Sequence, residues 1–390
     1  MKEGWTYKKL GEVCEKSKNI RWEEIDDKKT FSYIDLSSVD RDSLSVIEPQ
    51  IITKANAPSR AKQIVNEGDI LFATTRPTLR RVCLIPNSYD GQVCSTGFCI
   101  LRPKRDVTSK WIFYLLQTDD FYHYIEPLQT GASYPAVTDS IVKDYRMCLP
   151  PLPEQQQIVS HLDDAFAQID ALKANAENQL NEARNLFQKA LEEAMKPKEG
   201  WKMDKVGKIF KTYSGGTPIK SNKKYYENGD IPWVRSGEVC RQYITECEMY
   251  ITEAGMKNSS AKYYPVDTVL VAMYGATAAQ VGILKFKATS NQAVCGILPR
   301  EDYKPEFVYY WFKNIQKDLA AQAQGGAQPN ISQIKIKNVE IPILSIEDQQ
   351  QIVSQLDSLS EKVRQLEELQ RKTIAECDAL KQAMLREVFE

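Results

Sequence analysis

Histidine is nearly absent: the 390 residues hold two, His123 and His161. Two imidazoles do not build a structural zinc site, and neither has a convincing nucleophile partner nearby in sequence. His161 sits in the polar start of a helical stretch, where solvation is the plain reading. The nine cysteines include no Cys-x-x-Cys pair. An odd number without paired spacing reads as reduced, buried thiols rather than a disulfide framework. No apolar run approaches the roughly 18–20 residues of a membrane span. The start, Met1-Lys2-Glu3-Gly4-Trp5, is too polar for a secretory signal. The expectation is a cytoplasmic protein without membrane contact.

Catalytic motifs are missing too. There is no Gly-x-x-x-x-Gly-Lys-Ser/Thr cradle for a nucleotide phosphate; Ser214-Gly215-Gly216-Thr217-Pro218 lacks the lysine and the following helix. No Asn-Pro-Pro-Tyr or Asp-Pro-Pro-Tyr run, the clamp for a flipped adenine, occurs. The paired acids Asp163-Asp164 and Glu192-Glu193 lie on helical stretches and read as solvated faces. The expectation is therefore no catalytic residue and no metal ligand.

What the chain does contain, it contains twice. Gln-Gln-Gln-Ile-Val-Ser at 155–160 returns 194 residues later at 349–354. Glu3-Gly4-Trp5 returns as Glu199-Gly200-Trp201, and Leu10-Gly11-Glu12-Val13 as Val206-Gly207-Lys208-Ile209. A chain of this length holds two or three domains. Its net charge of −1 hides unlike segments. Residues 1–150 carry 21 basic and 20 acidic side chains, and residues 198–343 carry 20 and 14. Residues 151–197 carry 4 and 8, and residues 344–390 carry 6 and 10. The acidity sits in two short segments, so whole-chain charge does not argue against an anionic partner.

Those two acidic segments read as long helices. After Pro153 apolar or small residues recur at Ile158, Leu162, Ala165, Ile169, Leu172, Ala176, Ala183, Leu186 and Ala190, mostly in steps of four and three. That is a heptad seam. With no Gly or Pro between Ile158 and Met195, the rise is about 57 Å. The second copy gives Ile352, Leu356, Leu359, Val363, Leu366, Thr373, Cys377, Leu380 and Met384. Each helix needs a partner for its stripe, and the simplest partner is the other helix, with packing on the neighbouring domain alone as the alternative. The expected helix-pair interface is Ile158, Leu162, Ile169, Leu172, Ile352, Leu356, Leu359, Val363 and Leu366. Phe166, Leu180, Phe187 and Leu191 lie beside the first seam and are expected to leave surface for a further protein. If a pseudo-two-fold relates the halves, the helices run antiparallel with a globular domain at each end. Pro197 ends the first helix.

The globular segments, 1–150 and 198–343, read as mixed α and β. Residues 70–73 and 269–272 are short apolar strands; 111–116 and 307–312 are buried helices. Core sequences resemble each other between halves, but loops do not. Thr74-Thr75-Arg76-Pro77-Thr78-Leu79-Arg80-Arg81 stands where the second half has Met273-Tyr274-Gly275-Ala276-Thr277-Ala278-Ala279-Gln280.

Nucleic acid is the partner class these loops suit. The first segment sets Arg60, Lys62, Arg76, Arg80 and Arg81 against only Glu67 and Asp69 between residues 59 and 81. Such cations neutralise phosphates, and Arg holds guanine in the major groove. The second offers Lys220, Lys223, Lys224 and Arg235 beside Tyr225, Tyr226 and Trp233. Ser133, Tyr134, Tyr274, Gln280, Asn291, Gln292, Gln328 and Asn330 are polar or aromatic loop residues suited to base edges. A solvated basic loop is the plainer reading of each one alone; the pairing of two such surfaces on one repeated plan carries the case.

Pro151-Leu152-Pro153-Glu154-Gln155-Gln156-Gln157-Ile158-Val159 resembles the start of the repeated helices in type I restriction–modification specificity subunits (HsdS). Ser59-Arg60-Ala61-Lys62-Gln63-Ile64-Val65, Gly68-Asp69-Ile70-Leu71, Ser214-Gly215-Gly216-Thr217-Pro218 and Gln328-Pro329-Asn330-Ile331-Ser332 resemble further signatures. The resemblance covers essentially the whole chain. It departs at Ser133-Tyr134-Pro135-Ala136-Val137, which replaces a Gln-Pro-Asn run, and at Ile346-Glu347-Asp348, which replaces Leu-Pro-Glu. It implies two α/β target recognition domains (1–150 and 198–343), joined and spaced by two long antiparallel coiled-coil helices (151–197 and 344–390) in a pseudo-two-fold arrangement. It further implies double-stranded DNA as ligand, methyltransferase subunits as partners, commonly two, and a motor–nuclease subunit for restriction. S-adenosylmethionine, ATP and Mg2+ would belong to those partners, with no cofactor on this chain. The alternatives are a specificity chain of a related defence system, a coiled-coil adaptor without sequence preference, and an enzyme whose site the sequence does not reveal.

Overall fold

The computed structural model describes residues 4–323 and 330–390. It divides into two compact units, Met1–Glu177 with Arg371–Glu390, and Asn178–Gln370. Two α/β domains linked by two long helices make up the fold. Among the described residues no helix is long and apolar enough to cross a membrane.

In the first unit the strand Ile70–Ala73 is apolar and buried at every position, the pattern of a strand covered on both faces. It pairs antiparallel with Phe98–Pro103 and with Val82–Leu84. A second sheet orders Lys18–Asn19, Ala61–Ile64, Val93–Ser95, Phe31–Ile34 and Gln50–Ile52 side by side. The helices Ser109–Leu115, Asp119–Ile125 and Asp139–Asp144 each start on a threonine whose hydroxyl accepts a backbone N–H three residues on. Each such cap is worth about 1 kcal/mol. Trp111 is fully buried and packs edge-on against Trp5 at 6.0 Å and on Phe389 at 4.6 Å.

The second unit repeats the order. Val269–Ala272 is buried throughout, between Val281–Leu284 and Val294–Ile297. Pro305–Asn314 takes the place of Ser109–Leu115 and buries its central aromatic residues, Trp311 donating from Nε1 to Glu340 O at 2.8 Å. Ser214-Gly215-Gly216 has a packing origin. A Cβ on Gly215 would lie 2.2 Å from Ser290 O, and one on Gly216 would lie 2.2 Å from Ala261 N. Only glycine lets these backbones approach.

The repeated glutamine run has an equally local cause. Gln155 is fully buried; its Oε1 accepts from Thr108 N (3.0 Å), and its Nε2 donates to Asp106 O (3.1 Å) and Pro150 O (2.9 Å). Gln349, also fully buried, accepts from Lys304 N (2.9 Å) and donates to Asp302 O and Leu344 O (3.0 Å each). One side chain thus satisfies three backbone groups at the joint between domain and long helix. Beside it Tyr114 donates to Asp163, and Tyr310 donates to Asp357 at 2.6 Å. Burial and the adjacent carboxylate push both phenols well above the usual tyrosine range.

The long helices are Leu152–Met195 and Ile346–Phe389. The inward ridge of the first runs Gln155, Val159, Leu162, Phe166, Ile169, Lys173, Ala176, Leu180, Ala183, Phe187. That of the second runs Gln349, Val353, Leu356, Ser360, Val363, Glu367, Gln370, Ile374, Cys377, Lys381, each 194 residues from its counterpart. The helices meet antiparallel inside each unit. In the first, Lys173 pairs with Asp378 at 2.8 Å and Asp170 with Lys381. In the second, Gln370 donates to Gln179 at 2.9 Å and Arg184 pairs with Glu367 at 2.7 Å.

This ridge corrects the seam expected from sequence. Leu162, Ile169 and Leu356 are buried, while Ile158, Ile352, Leu359, Val363 and Leu366 are half-buried. Leu172 lies outside the buried ridge, at 52% exposed. At alternate positions the ridge lies one residue further on, because Lys173, Ser360, Glu367 and Lys381 occupy inward sites. Long charged side chains bury their stems and keep their heads in water, and Lys381 covers the Phe166 ring at 5.2 Å. The expected spare surface is corrected with it: Phe166 and Leu191 are buried, and Leu180 and Phe187 are half-buried. The leucines the helices leave exposed are Leu172, Leu186, Leu369 and Leu380. Pairing and domain packing coexist, since Val159, Leu162, Phe166, Ile169, Cys377 and Leu385 all join the core of the first domain.

Candidate nucleic-acid interface

In the first unit the loop leaving Ile70–Ala73 is pinned at both ends. Ala73 N donates to Arg81 O at 3.0 Å, and Arg76 and Arg80 both adopt left-handed backbone (φ 50° and 54°) around a short turn at Pro77–Leu79. A second loop is zipped onto it: Arg76 N donates to Pro135 O (2.7 Å), Val137 N to Thr74 O (2.9 Å), and Thr75 bridges Ala136. Arg76, Ser133 and Tyr134, far apart in sequence, therefore meet. The Arg76 guanidinium lies 4.8 Å from the Tyr134 ring and donates to Ser133 O at 3.4 Å, and Tyr134 is 69% exposed.

The other cations of this segment do not join that cluster. Arg80 stacks 4.4 Å from the Tyr122 ring and pairs with Asp119 at 2.6 Å, which Arg386 also approaches at 3.7 Å. Burial pushes the Tyr122 phenol up, so a neutral ring underlies the cation. Arg81 is half-buried, with its Nε enclosed and without a hydrogen-bond acceptor. Arg60 and Lys62 are exposed at and beside the strand Ala61–Ile64.

The second unit builds the same backbone with other side chains. Ala272 N donates to Gln280 O (2.8 Å), Gly275 and Ala279 are left-handed (φ 69° and 68°), Ile331 N donates to Met273 O (2.8 Å), and Tyr274 bridges Asn330. Gly275 thus corresponds to Arg76, Ala279 to Arg80 and Gln280 to Arg81. Tyr274 and Asn330 come together here, both exposed, with Gln280 half-buried beside them. Gln328, aligned with Tyr134, lies outside the described residues. A signal for this loop was present in the sequence: a glycine standing opposite an arginine marks a position where the backbone favours glycine.

The remaining expected residues of this unit gather elsewhere. Lys220, Lys223, Arg235, Asn291 and Gln292 line one cavity of about 510 Å3 with Trp233 and Tyr226. Lys224 is exposed and is not among its lining residues. Arg235 is held by Glu248 and by Glu238 at 3.7 Å. Sequence reasoning missed Thr217 and Met249 in this lining, and it missed Asp119 and Tyr122 as the anchor of Arg80. Thr217 lies in the Ser214–Pro218 run already singled out in the sequence, whereas Met249, Asp119 and Tyr122 belong to no motif and only the folded loops bring them close. Among the described residues no group of three or more His, Cys, Asp and Glu is placed to hold a metal ion.

The model of the type I restriction modification DNA specificity domain matches residues 2–182 and again residues 198–376. The chain belongs to that family. It is 31% identical over 211 residues to the specificity subunit of the Escherichia coli type I restriction enzyme EcoR124I/EcoR124II, a match spanning 52% of this chain and about half (51%) of that protein. Among solved structures, a chain from work on complex assembly and conformational transition of the type I R-M system superposes with a TM-score of 0.85 at 27% identity, covering 98% of this chain and 97% of that one. The HsdS subunit of Thermoanaerobacter tengcongensis gives 0.61 at 27% identity, covering 99% and 96%. The family model finds the same doubling that the glutamine runs and the two loops display.

Proposed function

We propose that this chain is the DNA-reading subunit of a type I restriction–modification complex, recognising an asymmetric, bipartite double-stranded target without catalysing a reaction itself. The observation that carries this reading is the congruent loop pair: residues 75–81 and 274–280 share one backbone but present Arg76 and Tyr134 in one domain and Tyr274, Gln280 and Asn330 in the other. Each domain enters the major groove at its own half-site, where Arg suits guanine and Asn or Gln suits adenine. Unlike side chains on like loops give unlike half-sites. The linking helices set the unread gap between them.

Methyltransferase subunits, two by the logic of the repeat, dock on the long helices, whose exposed leucines supply apolar contact. A motor–nuclease subunit joins for restriction. S-adenosylmethionine, ATP and Mg2+ act on those partners, and the complex works in the cytoplasm. Methylome sequencing of cells with and without this chain tests the proposal. The expected result is one interrupted, non-palindromic motif that disappears with the chain; a palindromic or uninterrupted motif sinks it.

A further inference from the structure

We propose that the second unit carries a pocket for a single unstacked nucleotide, a guanine base with its phosphate, seated against the Tyr226 ring. The claim deepens the DNA-reading proposal, and rests on it only where the nucleotide comes from DNA. The cavity, about 510 Å3, falls within the roughly 300–1,000 Å3 of small-molecule sites. Its aromatic wall is fixed in advance. Trp233 Nε1 donates to Gly216 O at 2.9 Å, Tyr226 OH donates to Pro218 O at 2.6 Å, and the rings meet at 72° and 5.9 Å. Trp233 is 3% exposed and backs the wall from behind, so the half-buried Tyr226 ring, its hydroxyl engaged inside the protein, is the one that offers the ligand apolar surface. A base within a duplex shows only its edges; an aromatic wall takes a face, which requires an unstacked base.

The polar lining is rich in donors. Asn291 Oδ1 already accepts from Ala293 N at 3.2 Å, and Gln292 Oε1 accepts from the Thr217 hydroxyl. Their amide N–H groups remain for a ligand. Lys220 is exposed and has no carboxylate within salt-bridge distance among the described residues, and Lys223 has only Glu227 at 3.8 Å. Phosphate oxygens and the O6 and N7 of guanine answer these donors, and the Glu227 carboxylate in the same lining can accept from guanine N1–H and N2–H2. Adenine instead sets a donor, N6, where guanine has the O6 acceptor. The first unit does not repeat these charges. Asp35 follows the strand Phe31–Ile34 where Arg235 follows Ile231–Val234. At that position the two halves carry opposite charge.

Calorimetric titration of the full chain with 5′-GMP, AMP, guanosine and inorganic phosphate tests this. GMP should bind, with AMP, guanosine and phosphate each about tenfold weaker or worse. Lys220→Ala and Gln292→Leu, both at exposed positions, should each weaken GMP about tenfold with unchanged melting temperature. GMP binding no tighter than phosphate, or both folded variants binding GMP like the parent, overturns the proposal. A single-stranded oligonucleotide that displaces GMP only when it contains guanine identifies a DNA nucleotide as the ligand. Failure to displace identifies the free nucleotide; the pocket stands in either case. Duplex binding without GMP binding removes the pocket and leaves the DNA reading intact. GMP binding without duplex binding does the reverse.

Discussion

Arg76 holds a backbone conformation that its counterpart, Gly275, adopts without cost. A left-handed non-glycine residue is strained by about 1–2 kcal/mol, and such strain persists where function needs the side chain. Arg76→Gly should therefore leave thermal stability unchanged or raise it, while duplex affinity falls about tenfold in a shift assay. Affinity equal to the parent's would remove Arg76 from the interface. Gln155 makes the opposite case, a residue whose work is internal. Gln155→Leu abandons Thr108 N, Asp106 O and Pro150 O together and should cost about 3 kcal/mol in denaturant unfolding. Gln156→Leu, at an exposed position, should stay within about 0.5 kcal/mol. The glutamine run was visible from sequence as a repeat, but not as a joint, because no pattern of residue types reveals three backbone partners.

At the scale of elements, the strands and buried helices were legible, since continuous apolar runs such as Ile70–Ala73 can only be buried. The heptad period was legible too, but its phase was not. Apolar scoring gave weight to Leu172 and ignored Lys173, whereas the folded helix turns Lys173 inward and leaves Leu172 in solvent. Substitution separates the two faces. Ile169→Ala should destabilise by about 2–5 kcal/mol. Leu172→Glu with Leu380→Glu should leave the melting temperature within about 2 °C yet abolish co-purification with the methyltransferase subunit; retained co-purification would move the docking face elsewhere. The reading loops were half legible. Their divergence was plain in the sequence, but their congruence depends on left-handed residues and on bonds from Thr74 and Met273 to distant segments.

At the scale of the molecule, the two units are unequal in one respect. The second is a single stretch, Asn178–Gln370, whereas the first is closed by Arg371–Glu390 returning to Met1–Glu177. That return places Cys377 and Leu385 in the first core, with Met384, Val388 and Phe389 packed on it. Each such side chain contributes about 1.5–3 kcal/mol when fully buried, against the 5–15 kcal/mol typical of a domain. Deleting residues 371–390 should unfold the first unit selectively, read as early hydrogen exchange around Trp111 with protection kept around Trp311. Uniform loss, or none, would contradict this division.

The same discontinuity governs the order in which the protein is made. On the ribosome, the residues that complete the first unit follow the whole of Asn178–Gln370. At about 5–20 residues per second this is a wait of roughly 10–40 s. The domain translated first is then completed after the second, and Trp111 stays uncovered by Phe389 until residues 371–390 have been made. Chaperone contact during synthesis should concentrate there, on the half that any domain-by-domain scheme would expect to be safest.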